Sequence, residues 1–131
     1  MGRADDILRV TERLYAAAGA PQLWQSALEG IIDLVGADHA MLDVRGTERL
    51  GAAFVADARV DERDVAQLLV PEAIEMVLPF LGRLPSGVSS RAEVIADAEF
   101  ARTAMYNEVI RPLNSFHSLH VRGGVAIMSV R

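Results

Sequence analysis

Apolar residues recur at helical spacing from Asp5 to Ala18, where Ile7, Leu8, Val10, Leu14 and Tyr15 alternate with Arg9, Glu12 and Arg13. The spacing predicts an amphipathic helix. Ile7, Val10, Leu14 and Ala17 form a three-then-four stripe, which suits either a helix-pair seam or docking on the domain's own core. Gly19 is placed to close this helix in the left-handed conformation, and Pro21 suits the first turn of the next. From Gln22 to Val35 only Gln25, Ser26, Glu29 and Asp33 break the apolar surface, which predicts a mostly buried helix ended by Gly36.

The period then changes to two. Ala40, Leu42 and Val44 alternate with His39, Met41 and Asp43, predicting a strand over Ala37 to Val44, a turn at Arg45 to Glu48, and an antiparallel return over Leu50 to Ala56. Asp61 and Asp64 open a helical segment carrying Val65, Leu68 and Leu69, which Pro71 interrupts. A short helix over about Glu72 to Leu78 is expected to stop before Pro79, with Phe80 to Val88 as an irregular crossing. Ser90 and Glu93 have capping-box spacing and predict a short helix through Val94 and Ile95.

The most strongly punctuated stretch follows. Asp97 is expected to cap a helix from about Ala98 to Ile110, with Glu99 and Arg111 complementing its dipole. Pro112 should stop it by pushing Arg111 out of the helical region, so that the chain leaves in an extended direction toward Phe116. Phe116 to Val121 and Val125 to Val130 then read as a closing hairpin around Gly123 and Gly124. The order of elements predicts one α+β domain, an antiparallel sheet with flanking helices, and a helical crossing able to enclose a pocket.

Composition narrows the chemistry. The 131 residues contain no Cys, which excludes disulfides and thiol nucleophiles, and all 13 basic residues are Arg, which excludes a phosphate-loop or Schiff-base lysine. A net charge of −5 with interspersed acids and arginines argues against direct nucleic-acid binding by this segment. No apolar run approaches the ~20 residues that span a bilayer, so a protein of the cytoplasm without membrane association is expected. No phosphate loop, dinucleotide fingerprint or nucleophile elbow occurs, and no cofactor is expected.

Phe100, the run Tyr106, Asn107 and Glu108, and Arg111 with Pro112 resemble a signature of the N-terminal sensor region of bacterial LuxR-type helix-turn-helix regulators. Leu14 and Tyr15, Leu23 and Trp24, Ala27 and Leu28, Ala37 and Asp38, and Pro85, Gly87 and Val88 fall in the order that family shows, so the resemblance covers nearly the whole chain. Met105 stands where the pattern often has a larger aromatic. The resemblance implies a PAS- or GAF-like domain, a homodimer that senses a signal for a C-terminal DNA-binding domain lying outside these residues. No motif transfers the lactone pocket of the autoinducer-binding branch.

His117 and His120, if on a strand, point to opposite faces and do not share a metal. Asp38 and His39 point apart for the same reason, which favours a strand-entry Asp and a partly buried His over an acid/base pair. Asn107 reads best as a structural tie to a neighbouring loop. Tyr106 has two readings. Its hydroxyl can face a ligand among Phe54, Met41, Phe80 and Met105, or the same residues can be filled core. Three functions follow: a non-catalytic sensory and dimerisation domain for an unidentified small-molecule effector, a ligand-free dimerisation scaffold, or a small acid/base isomerase or hydrolase.

Overall fold

A computed structural model describes residues 2–45, 52–123 and 126–130. Five strands form one antiparallel sheet in the order β2-β1-β5-β4-β3. β1 (Ala40–Arg45) pairs with β2 (Ala52–Ala58), β4 (Leu119–Gly123) pairs with β5 (Ala126–Val130), and β1 and β5 join the two hairpins at the centre. The mixed α+β class expected from the period changes is the class observed. The turn at Arg45 to Glu48 and the Gly124 turn position fall partly outside the described residues, as do Leu50 and Gly51.

One face of the sheet is an apolar layer. Helix α1 (Arg3–Gly19) packs on α2 (Trp24–Val35), and α2 lays Leu28, Ile31 and Ile32 on Ala40, Leu42 and Ala58, with Val10, Leu14 and Trp24 around them. The cross-strand pair Ala40 and Ala58, with Ala56 beside it, presents small side chains to α2, which suits a strand of modest propensity. Gly36 takes φ 72°, and the Ala37 amide donates to the Ile32 carbonyl at 3.0 Å, closing α2 as expected. Gly19 does not do the same for α1. It remains helical, and the extended Ala20 ends the helix by donating to the Ala17 carbonyl.

The other face is covered by the crossing. α3 (Glu62–Leu68) starts at Asp61, whose carboxylate accepts the Arg63 amide at 2.8 Å. α4 (Pro71–Arg83) begins on Pro71 and continues through Pro79, contrary to the expected stop at Leu78. Burial of Phe80 and Leu81 offsets the lost hydrogen bond, so packing overrides the breaker. The Arg122 guanidinium donates to the Leu84 carbonyl at 2.7 Å just beyond the helix, a favourable position for a cation. Gly87–Ser90, its first two residues expected to belong to the irregular crossing, forms the edge strand β3 against β4, with Gly87 at φ 89°.

The Ser90 half of the expected capping box forms, while Glu93 takes the Ser90 hydroxyl at 3.3 Å instead of its amide. Ser90 accepts the Glu93 amide at 3.3 Å and starts α5 (Arg91–Val94). The long helix does not hold. α6 (Asp97–Phe100) ends after one turn, a π-helical turn spans Met105–Ile110, and a 3₁₀ turn spans Arg111–Leu113. Arg111 stays helical (φ −56°, ψ −42°), and its amide donates to the Tyr106 carbonyl five residues back. The wider π turn moves carbonyls away from the Pro112 ring, so proline follows a helical residue here. The chain then reverses at Asn114 in the left-handed region, and β4 begins at Leu119 rather than Phe116. Among the described residues no single helix is long and apolar enough to cross a membrane; α3 and α4 meet at a 75° bend.

Gly36→Ala should lower stability by about 1 kcal/mol, because a Cβ at this φ is strained although the surrounding space is open. Urea unfolding with an unchanged slope and a lower midpoint checks it.

Candidate functional site

Four elements converge on the α4 side of the sheet: α4, α5 with α6, the π turn, and the segment Ser115 to His120. Phe80, Leu81, Leu84, Ile95, Phe100 and Met105 are buried together, with Met76, Val77, Tyr106, Ile110 and Phe116 packed around them. A cavity of about 70 Å³ lies among these residues, its walls almost wholly apolar, with Arg91, Ser115 and Ser118 at its rim.

Arg91 organises this region. Only 2% of it is exposed. Its Nη1 donates to the Ile95 carbonyl at 2.7 Å, Nη2 donates to Asp97 Oδ1 at 2.8 Å and to the Phe116 carbonyl at 3.0 Å, and Nε donates to the same Phe116 carbonyl at 3.1 Å. Its guanidinium carbon lies 4.3 Å from the Phe100 ring centre and 4.7 Å from that of Phe116. Planar donors in a fixed fork and two ring faces are what make a buried arginine tolerable. Asp97 is therefore not the helix cap expected of it. Its carboxylate is committed to Arg91 by a charge-assisted bond stronger than a cap.

Two histidine–serine pairs flank the cavity. His39 Nε2 is 2.9 Å from Ser115 Oγ, and His120 Nε2 is 2.9 Å from Ser118 Oγ. Burial pushes the His39 pKa down, opposed by the Asp64 carboxylate. Burial, reinforced by the Arg91 charge, pushes His120 down to about 4. Both rings are neutral near pH 7. His120 stands edge-on to Phe80 with ring centres 5.3 Å apart, and its register partner Ser89 is buried with no hydrogen bond from its hydroxyl to the described residues. His117 lies before β4, against the Phe116 ring, so the strand-based separation of His117 and His120 does not apply. Among the described residues no three His, Asp or Glu side chains are placed to hold a metal ion.

Of the residues singled out in the sequence, Phe80 and Met105 both line the cavity. Tyr106 is half-buried beside it, its ring 5.0 Å from Phe100 and 5.4 Å from Phe116. Met41 sits on β1 in the cross-strand row that runs through Ser129 and His120 to Ser89, on the sheet face opposite Leu42. Phe54 pairs with Val44 on β2, and its side chain lies outside the described structure. Phe100 is buried as the platform under Arg91. Asn107 makes the expected tie, donating to the Ala101 and Thr103 carbonyls at 3.0 and 2.9 Å, although from an exposed position. Thr103 completes that corner by accepting the Tyr106 amide at 3.1 Å.

Arg91, Ser115 and Ser118 were not legible as site residues. Arg91 reads as an ordinary polar residue inside a capping box, Ser115 as part of the extended exit from Pro112, and Ser118 as part of a strand. The available signal was Asp97, an acid six residues after Arg91 with an aromatic at Phe100. Comparison of the chain with protein-family models, curated proteins and solved structures gives no match.

Arg91→Met should destabilise the fold by about 3–5 kcal/mol, since two buried carbonyls lose their donors and two rings their partner. Asp97→Asn should cost only about 1 kcal/mol, because the Asp97 side chain is 58% exposed. Denaturant unfolding of the pair checks the contrast. For His120 the folded pKa of about 4 lies below the ordinary 6.5, so the unfolded chain binds more protons between those values. Stability should fall by about 3 kcal/mol as pH drops from 6.5 to 4. His120→Gln should flatten that part of the profile.

Proposed function

We propose that this chain is a cytoplasmic sensory and dimerisation domain, PAS- or GAF-like, belonging to a LuxR-type transcriptional regulator and acting without catalysis. The observation that carries the reading is the small, partly open apolar cavity among α4, α5, α6, the π turn and the segment before β4, lined by Phe80 and Met105. A five-stranded antiparallel sheet whose crossing helices cover one face is the arrangement the resemblance leads one to expect. An effector that binds one arrangement of those helices better than another shifts their population, and an attached domain reads the shift.

Dimerisation has its own support. Helix α1 turns Val10, Leu14 and Ala17 toward the core and leaves Ile7, Leu8 and Tyr15 exposed, Tyr15 by 79%. An exposed apolar stripe on a 17-residue helix suits a second copy of the same helix. A ligand-free scaffold is the second reading, favoured by the aromatic packing of Phe100, Tyr106 and Phe116 that fills most of this core.

Native mass spectrometry of freshly purified protein tests both. A dimer carrying a discrete mass lost on denaturation is the expected result. A clean dimer that no small molecule stabilises selects the scaffold, and a clean monomer overturns the dimer. Leu8→Glu should shift the protein to monomer by placing a charge in the stripe; if Leu8→Glu stays dimeric while Val88→Glu does not, the interface lies on the exposed sheet surface instead.

A further inference from the structure

We infer that the cavity between α4, the π turn and the approach to β4 is a binding site for one compact, uncharged, apolar molecule of about three to five heavy atoms. The inference rests on the sensory reading above and narrows it to a ligand class.

Size sets the first limit. The cavity is about 70 Å³, and an apolar cavity of roughly 150 Å³ is what accommodates benzene. Chemistry sets the second. Val77, Phe80, Leu81, Phe100, Met105 and Ile110 supply the walls, while the polar groups at the rim already have partners. Arg91 is held by Ile95, Asp97 and Phe116, Ser118 by His120, and Ser115 by His39. A charged or strongly hydrogen-bonding guest would lose its hydration and find no donor or acceptor in exchange. An apolar guest loses little and gains contact with walls that otherwise face a void.

The walls also connect occupancy to shape. Met105 and Ile110 are the first and last residues of the π turn, so a guest between them and Phe80 presses on both ends of one irregular element. A π turn closes its hydrogen bonds over five residues instead of four, an irregularity found frequently at functional sites. Methionine, flexible and polarisable, adapts to the guest. A guest that moves Met105 or Ile110 therefore moves an end of the π turn.

The test uses the full chain with ¹³C-labelled methionine methyl groups, the Met105 signal being identified by Met105→Leu. Xenon under pressure and dichloromethane should each shift the Met105 resonance saturably, and benzene should not. Val77→Phe, which fills the void, should abolish the response, and the gentler Val77→Leu should weaken it if the larger change impairs folding. No saturable Met105 shift with xenon overturns the site. Saturable binding of benzene overturns the size limit. A dimer that retains a larger or charged molecule in native mass spectrometry while xenon leaves Met105 unmoved would overturn this ligand class and leave the sensory reading standing.

Discussion

Taking a guanidinium out of water costs several kcal/mol unless its whole surface is satisfied, and Arg91 is satisfied on every side. Two carbonyls and a carboxylate accept its donors, and two aromatic rings cover its faces. Those partners belong to the end-cap of α5, to α6 and to the segment before β4. Because that segment lies 25 residues further along the chain, the arginine determines how the irregular region folds back on itself. Its backbone contributes too, the Arg91 amide donating to the Ser118 carbonyl at 3.0 Å. The rim of the cavity is therefore a consequence of how one charge is buried.

The two faces of the sheet are built on different principles. On the α2 side, aliphatic residues and alanines interdigitate, and the free energy comes from area removed from water. On the α4 side, the same apolar contribution is mixed with Arg91, His120 and Ser89, each buried and polar. Polar groups in such a place raise the cost of misplacement and so favour one arrangement. The π turn belongs to this second face. Thr103 and Asn107 fasten its beginning, the wide turn accommodates Pro112, and its two ends reach the cavity. Regular helix packs on one side, and irregular turns surround much of the cavity on the other.

Local signals were enough for the elements that depend on local physics. The periods of 3.6 in α1 and α2, the alternation through Ala40 to Val44, the left-handed Gly36 and the side-chain cap by Ser90 all describe interactions within a few residues, and these appear where the pattern puts them. Phe80 and Met105 could be grouped from their apolar character alone. What the sequence by itself determined was therefore the alternation of helix and strand and the mixed class. Tertiary structure decided the rest, because those features balance a local preference against a distant partner. Pro79 stays helical since Phe80 and Leu81 are buried. Gly87–Ser90 becomes a strand since β4 offers it an edge. Asp97 leaves its helix amides since Arg91 attracts it more strongly. Such contests are settled by which groups the fold brings together, and spacing along the chain does not encode their outcome.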